Sequence, residues 1–141
     1  IYLYSFAKNV YWPSAYNTGD FTIGIYGSKD LFDQLSANFK GKMTGSQKII
    51  FDFYESTSDI SDCHMLFVGK DETNTISKVK KVLDEKTLLV TELTDISNSS
   101  SSMINFVYVQ SRLKFQLNKS EAEKNNFKIG QTLTKLAYST I

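Results

Sequence analysis

Cys63 and His64 stand side by side at the entry to an apolar run, residues 65–69. Two kinds of chemistry use such a pair. As ligands of a zinc-type ion they need two or more partners, and the chain holds one cysteine and one histidine. As nucleophile and base they need a hydrogen bond between them, whereas neighbours on a strand project to opposite faces. The pair therefore reads as the start of a strand, with no metal site and no thiol catalysis.

Gly27, Ser28, Lys29 and Asp30 form a glycine turn of the kind that joins a strand to a helix, where backbone N–H groups can face an anion. Neither phosphate-cradling pattern, G-x-G-x-x-G or G-x-x-x-x-G-K-[ST], occurs, so the turn reads as a helix cap. Carboxylates between positions 59 and 95, Asp59, Asp62, Asp84 and Glu92 among them, fall on turns and helix ends without forming an acid–base pair. Lys78, Lys80, Lys81 and Lys86 crowd one segment, but Asp84 and Glu85 interrupt them, which describes a solvated face. No residue is assigned a catalytic role, no cofactor is implied, and the chain is not expected to be an enzyme.

The elements that would carry these residues follow from periodicity. Leu3, Phe6, Ala7 and Val10 share one helix face, and Pro13 is expected to stop that helix. Residues 21–27 alternate as a strand. Ser28 then caps a helix whose stripe is Leu31, Leu35 and Phe39, ending at Gly41. Residues 47–54 form a β-branched and aromatic strand, and residues 65–69 a strand buried on both faces. A helix carrying Ile76, Val79 and Leu83 and a strand at 87–93 follow. Segments 103–110 and 112–118 are separated by so little that they must fold as an antiparallel hairpin. In the second, Leu113, Phe115 and Leu117 face one way, with Arg112, Lys114 and Gln116 opposite. Ser120 and Glu123 read as a capping box. Ile129, Leu133, Leu136 and Ala137 trace a last helix, and residues 97–102 (SNSSSS) a flexible loop.

Alternating strands and helices predict a single three-layer, Rossmann-like α/β domain over residues 1–141: a mostly parallel sheet flanked by helices, with a C-terminal antiparallel hairpin. A chain of 141 residues buries roughly 70% of the surface its unfolded form exposes and needs no staples. Sixteen basic against fifteen acidic residues leave a net charge of +1, which argues against a nucleic-acid partner. No apolar run approaches the ~20 residues of a membrane span, so this segment is not expected to insert. The start at Ile1, with neither Met nor a basic stretch, suggests a signal peptide or anchor upstream.

Three stretches together resemble the YfiR-like family of bacterial periplasmic regulatory domains: FAKNVYWP at 6–13, DCHMLFVG at 62–69, and SMINFVYVQSRLKFQLN at 102–118 continued by KSEAEKNNFKIGQTLTKLA. The resemblance runs from about Phe6 to Ala137, and its signature positions are Phe6, Trp12, Pro13, Met103, Asn105 and Phe106. Some relatives use cysteine pairs for redox control; lone Cys63 makes an intramolecular switch of that kind impossible here. Ser102 stands where a small residue, often glycine, is usual.

The resemblance implies an extracytoplasmic regulator that controls a membrane-bound signalling protein, of diguanylate cyclase or sensor kinase type, by protein contact, with homodimers expected. The alternative is a sensor of a small ligand or cell-wall fragment. Open α/β sheets bind ligands beyond the carboxyl ends of their strands, here Gly27 and Ser28, Glu55 and Ser56, Gly69 and Lys70, and Thr91. Ser28 and Lys70 from that rim, with Asn105 and Arg112 from the hairpin, are the candidate ligand contacts. Trp12 and Pro13 are assigned to the core, closing the first helix onto the sheet.

Overall fold

The computed structural model describes residues 2–13, 16, 18–70, 76–84, 86–92 and 102–140. Most of the serine-rich stretch, at 97–101, and several carboxylates between 71 and 95 lie outside the described residues.

The order of elements is α1 (Tyr2–Asn9), β1 (Val10–Tyr11), β2 (Phe21–Tyr26), α2 (Lys29–Asn38), β3 (Met43–Thr44), β4 (Gln47–Tyr54), a 3-10 turn (Thr57–Asp59) and β5 (Met65–Val68). Then come α3 (Ile76–Val82), β6 (Leu88–Thr91), β7 (Ile104–Val109), β8 (Arg112–Leu117), α4 (Lys119–Lys124), β9 (Lys128–Ile129), α5 (Gln131–Leu136) and β10 (Ser139–Thr140). Eight strands form one sheet in the order β10-β8-β7-β6-β5-β2-β4-β3, and β1 pairs with β9 apart from it. β4, β2, β5, β6 and β7 run parallel; β8 returns antiparallel to β7, and β3 is antiparallel to β4. The expected α/β architecture and its hairpin are present.

Alternation along each strand divides the interior. One face carries Phe21, Ile23, Ile25, Met65, Phe67, Leu88, Val90, Ile104, Phe106, Phe115 and Leu117 against Leu3 and Phe6 of α1, Leu35 of α2 and Leu133 of α5. The other carries Tyr26, Cys63, Leu66, Val68 and Leu89 against Ile76 and Val79 of α3. β5 and β6 are buried at every position because helices cover both of their faces.

Several local expectations are corrected. α1 ends at Asn9, well before Pro13: Val10 and Tyr11 are drawn into the ladder with Ile129 and Lys128, and the Gly130 N–H binds the Asn9 carbonyl at 2.8 Å. Only glycine fits at 130, since a Cβ there would lie 2.7 Å from the Asn9 oxygen. Ile129 thus belongs to β9, and α5 is short, with Leu133 buried and Leu136 exposed. The cap of α4 is Asn118, two residues before Ser120. The Asn118 N–H is anchored on the Met103 carbonyl at 2.8 Å, its Oδ1 accepts from the Glu121 N–H at 3.3 Å, and Ser120 donates to the same oxygen. Phe39 caps α2 from outside its last turn.

Candidate functional site

Chain order sets where a site can form. After β2 the chain crosses to β4 on one side, then returns past β2 to add β5, β6 and β7 on the other. The β2/β5 junction is therefore the topological switch point, where α/β sheets leave a crevice beyond their carboxyl ends. Gly27 and Gly69 meet there: Gly69 donates to the Tyr26 carbonyl at 3.0 Å, and a Cβ on it would lie 3.3 Å from the Gly27 oxygen.

On the α1/α2 side of this crevice lies a cavity of about 550 Å³. Its floor is Phe67 of β5, Phe106 of β7 and Leu113 of β8; its walls are Tyr2 and Leu3 of α1 and Leu31 and Leu35 of α2. Polar groups enter from the rim, with Ser28, Asp30 and Gln34 on one side and Glu92, just past β6, on another. Tyr108 stands at the mouth, 68% exposed. A few polar groups on a mostly apolar lining, in this size range, make up the usual composition of a small-molecule site.

The four candidate contacts are not gathered in it. Ser28 lines the cavity, but its hydroxyl also caps α2, accepting from the Leu31 N–H at 3.4 Å. Lys70 is exposed on the rim just after Gly69. Asn105 is buried on the opposite face of the sheet, accepting from the Thr91 hydroxyl at 2.8 Å and donating to Gln116 Oε1 at 3.2 Å. Arg112 is exposed at the start of β8, facing away from Leu113. Asn105 and Arg112 share a face but not a level: Asn105 is level with Gln116, four residues along β8 from Arg112.

A cross-sheet row explains the setting of Asn105. Tyr54, Tyr26, Val68, Thr91, Asn105, Gln116 and Ser139 are successive register partners from β4 to β10. Within it Thr91 also accepts from the Ser102 hydroxyl at 2.8 Å, so the polar end of the row is a hydrogen-bonded strip.

The remaining signature residues are packed. Phe6 is fully buried and meets the Phe115 ring edge-on at 5.1 Å; Phe106 lies 5.7 Å from both Tyr2 and Phe6. Met103 is buried, and its carbonyl anchors Asn118. Trp12 is 8% exposed, edge-on to Phe21 at 4.9 Å and to Phe127 at 5.6 Å, and the half-buried Pro13 accepts from the Tyr16 N–H.

Cys63 and His64 point to opposite faces. The thiol sits among Leu66, Val68 and Val79, and burial pushes its pKa up to about 11, far from the range of a reactive thiolate. His64 stacks on Phe21 at 4.7 Å, and burial lowers its pKa. Among the described residues no three His, Cys, Asp or Glu side chains converge as a metal site would, and no helix is long and apolar enough to cross a membrane.

The cavity residues outside Ser28 escape sequence reasoning because Tyr2, Gln34, Phe67 and Tyr108 come from four separate elements. The available signal is the phase of β7, in which Ile104, Phe106 and Tyr108 continue one apolar row past the end of β6.

No curated protein sequence matches this chain. The family model described as YfiR/HmsC-like matches residues 1–138. Proteins of that family are known as regulators of membrane diguanylate cyclases, generally regulatory rather than catalytic and typically periplasmic. With the match spanning nearly all of its 141 residues, this chain belongs to the YfiR/HmsC-like family.

Proposed function

We propose that this chain is a non-enzymatic extracytoplasmic regulatory domain that controls a membrane-bound signalling protein, of diguanylate cyclase or sensor kinase type, through direct contact. The observation that carries this reading, beside the family, is the β7–β8 hairpin. Among the described residues, 106–109 of β7 have no register partner in β6, and Tyr108 is exposed near the hairpin tip. Its turn is made by Gln110 and Ser111 at φ 50° and 65°, backbone that side chains adopt at a cost and that tends to persist at functional positions. An aromatic ring on a stiff two-stranded arm suits a contact residue.

The test is co-expression in a bacterium, with export to the periplasm, beside a membrane diguanylate cyclase from the same genome. Cellular cyclic di-GMP should change several-fold with the chain present, and Tyr108→Glu should abolish the change while leaving the thermal midpoint in place. Unchanged levels across the genome's membrane cyclases, together with unchanged output of its membrane sensor kinases, would overturn the reading.

The cavity favours a second reading, a small-ligand sensor, because it opens where α/β sheets bind ligands and Tyr108 stands at both its mouth and the hairpin. A thermal-shift screen with amino acids, nucleotides and cell-wall fragments tests it; concentration-dependent stabilisation by one compound supports it.

A further inference from the structure

The charges around the cavity narrow what it can hold. Among the described residues its lining includes two carboxylates, Asp30 and Glu92, and no lysine or arginine; Lys70 stands on the rim outside this lining. The nearest base on α2, Lys29, is directed elsewhere: its ammonium pairs with Asp33 at 2.9 Å and lies over the rings of Phe32 and Phe53 at 4.9 and 5.6 Å. On α1, Lys8 lies over the Tyr4 ring, a turn and a half from Tyr2. An anionic ligand would bring its charge beside the Asp30 carboxylate. A neutral apolar ligand would make no use of the Asp30 carboxylate and the Gln34 amide at the rim.

The interior has a different character from the rim. Tyr2, Phe67, Phe106 and Tyr108 present four aromatic rings, with Leu3, Leu31, Leu35 and Leu113 between them. Aromatic faces attract both apolar bodies and cations. Asp30 and Gln34, one turn apart on α2, place a carboxylate and an amide where an ammonium emerging from the cavity would stand.

We propose that the cavity between α1 and α2 binds a small amphipathic organic cation: an amine whose aromatic or alkyl body lies over Phe67 and Phe106 and whose ammonium meets Asp30 at the rim. This rests on the sensor reading above and adds the class of ligand to it. Tyr108 would close over the body, so occupancy would change the surface of the hairpin arm.

Calorimetric titration with three probes of one skeleton tests the assignment: 4-phenylbutylamine, 4-phenylbutanol and 4-phenylbutyrate. The amine should bind with a dissociation constant of about 1 mM or tighter and about tenfold more tightly than the alcohol, with the acid weakest. Asp30→Asn should remove most of the amine's advantage and leave the alcohol unchanged. Gln34→Trp, an exposed position that lines the mouth, should weaken amine and alcohol alike by about tenfold or more. Alcohol or acid binding as tightly as the amine, still sensitive to Gln34→Trp, would overturn the cation assignment and leave the sensor reading standing. No saturable binding of any probe up to about 5 mM would overturn the cation assignment, and the sensor reading would then stand or fall on the thermal-shift screen.

Discussion

The indole of Trp12 donates to the backbone carbonyl of His64 at 3.0 Å and lies edge-on to the ring of the same residue, 6.5 Å between centroids. The same N–H reaches the Lys86 carbonyl at 2.8 Å. One side chain from the N-terminal segment therefore ties together the entries to β5 and β6, while its flanks pack on Phe21 and Phe127. Trp12→Ala should cost about 3–5 kcal/mol, seen as a lower urea midpoint at unchanged m-value. Trp12→Phe should keep much of the ring packing and lose the donor, costing about 1–3 kcal/mol. If Trp12→Phe is as damaging as Trp12→Ala, the hydrogen bonds outweigh the packing.

Trp12 also shows how far a sequence can be read. Its assignment to the core followed from its neighbours, but the mechanism did not: the expected helix stop at Pro13 was displaced by pairing of Val10 and Tyr11 with a strand more than a hundred residues away. The strands legible in advance, β2, β4, β5, β6 and the hairpin, carry β-branched and aromatic runs long enough to show a period. β1, β3, β9 and β10 have two residues each and exist through tertiary partners, so no local pattern announces them. The same limit applies to the site. Ser28 was legible as the end of a strand–helix turn, whereas the other lining residues acquire a common surface only when β5 crosses back beside β2.

His64 should make the protein acid-sensitive. The Thr22 N–H donates to Nδ1 at 3.2 Å, and Nε2 faces the Tyr16 carbonyl at 3.1 Å, so the neutral ring protonated at Nε2 satisfies both. A second proton would set Nδ1–H against Thr22 N–H. Burial lowers the pKa below 6.5, the bond to Tyr16 partly opposes this, and the Lys86 cation adds to the lowering. The unfolded chain then binds the proton more readily, so this contribution is present above pH 6.5 and is lost as pH falls towards the folded value. Urea unfolding at about pH 7.5 and pH 5 should show this loss, and His64→Gln should flatten it while lowering stability at both pH values. An equally steep acid loss in the variant would place the sensitivity elsewhere.

The hairpin turn has room for improvement. Two-residue turns with both φ angles positive strongly prefer Asn-Gly, yet here Gln110 and Ser111 hold φ 50° and 65°. Combining Gln110→Asn with Ser111→Gly should stabilise the protein by about 1 kcal/mol, raising the thermal midpoint. If contact with a partner uses this tip, the same variant should be more stable and yet weaker in the cyclic di-GMP assay. A variant that is stabilised with undiminished regulation would move the contact away from the turn.

Asn105 separates a structural signature from a ligand contact. Its oxygen accepts from Thr91, whose side chain is fully buried, and its amide donates to Gln116 across the hairpin. Asn105→Ala removes a partner from each and should cost about 1–3 kcal/mol. Asn105→Asp keeps the acceptor for Thr91 but places a carboxylate at a 3% exposed position. Burial favours the neutral acid, so the gap between this variant and the parent should be wider at about pH 7 than at about pH 4. Because Asn105 lies on the sheet face opposite the cavity, neither change should alter 4-phenylbutylamine affinity in protein that remains folded. A stable Asn105→Ala protein with altered amine affinity would show that the polar row and the cavity are coupled through the sheet.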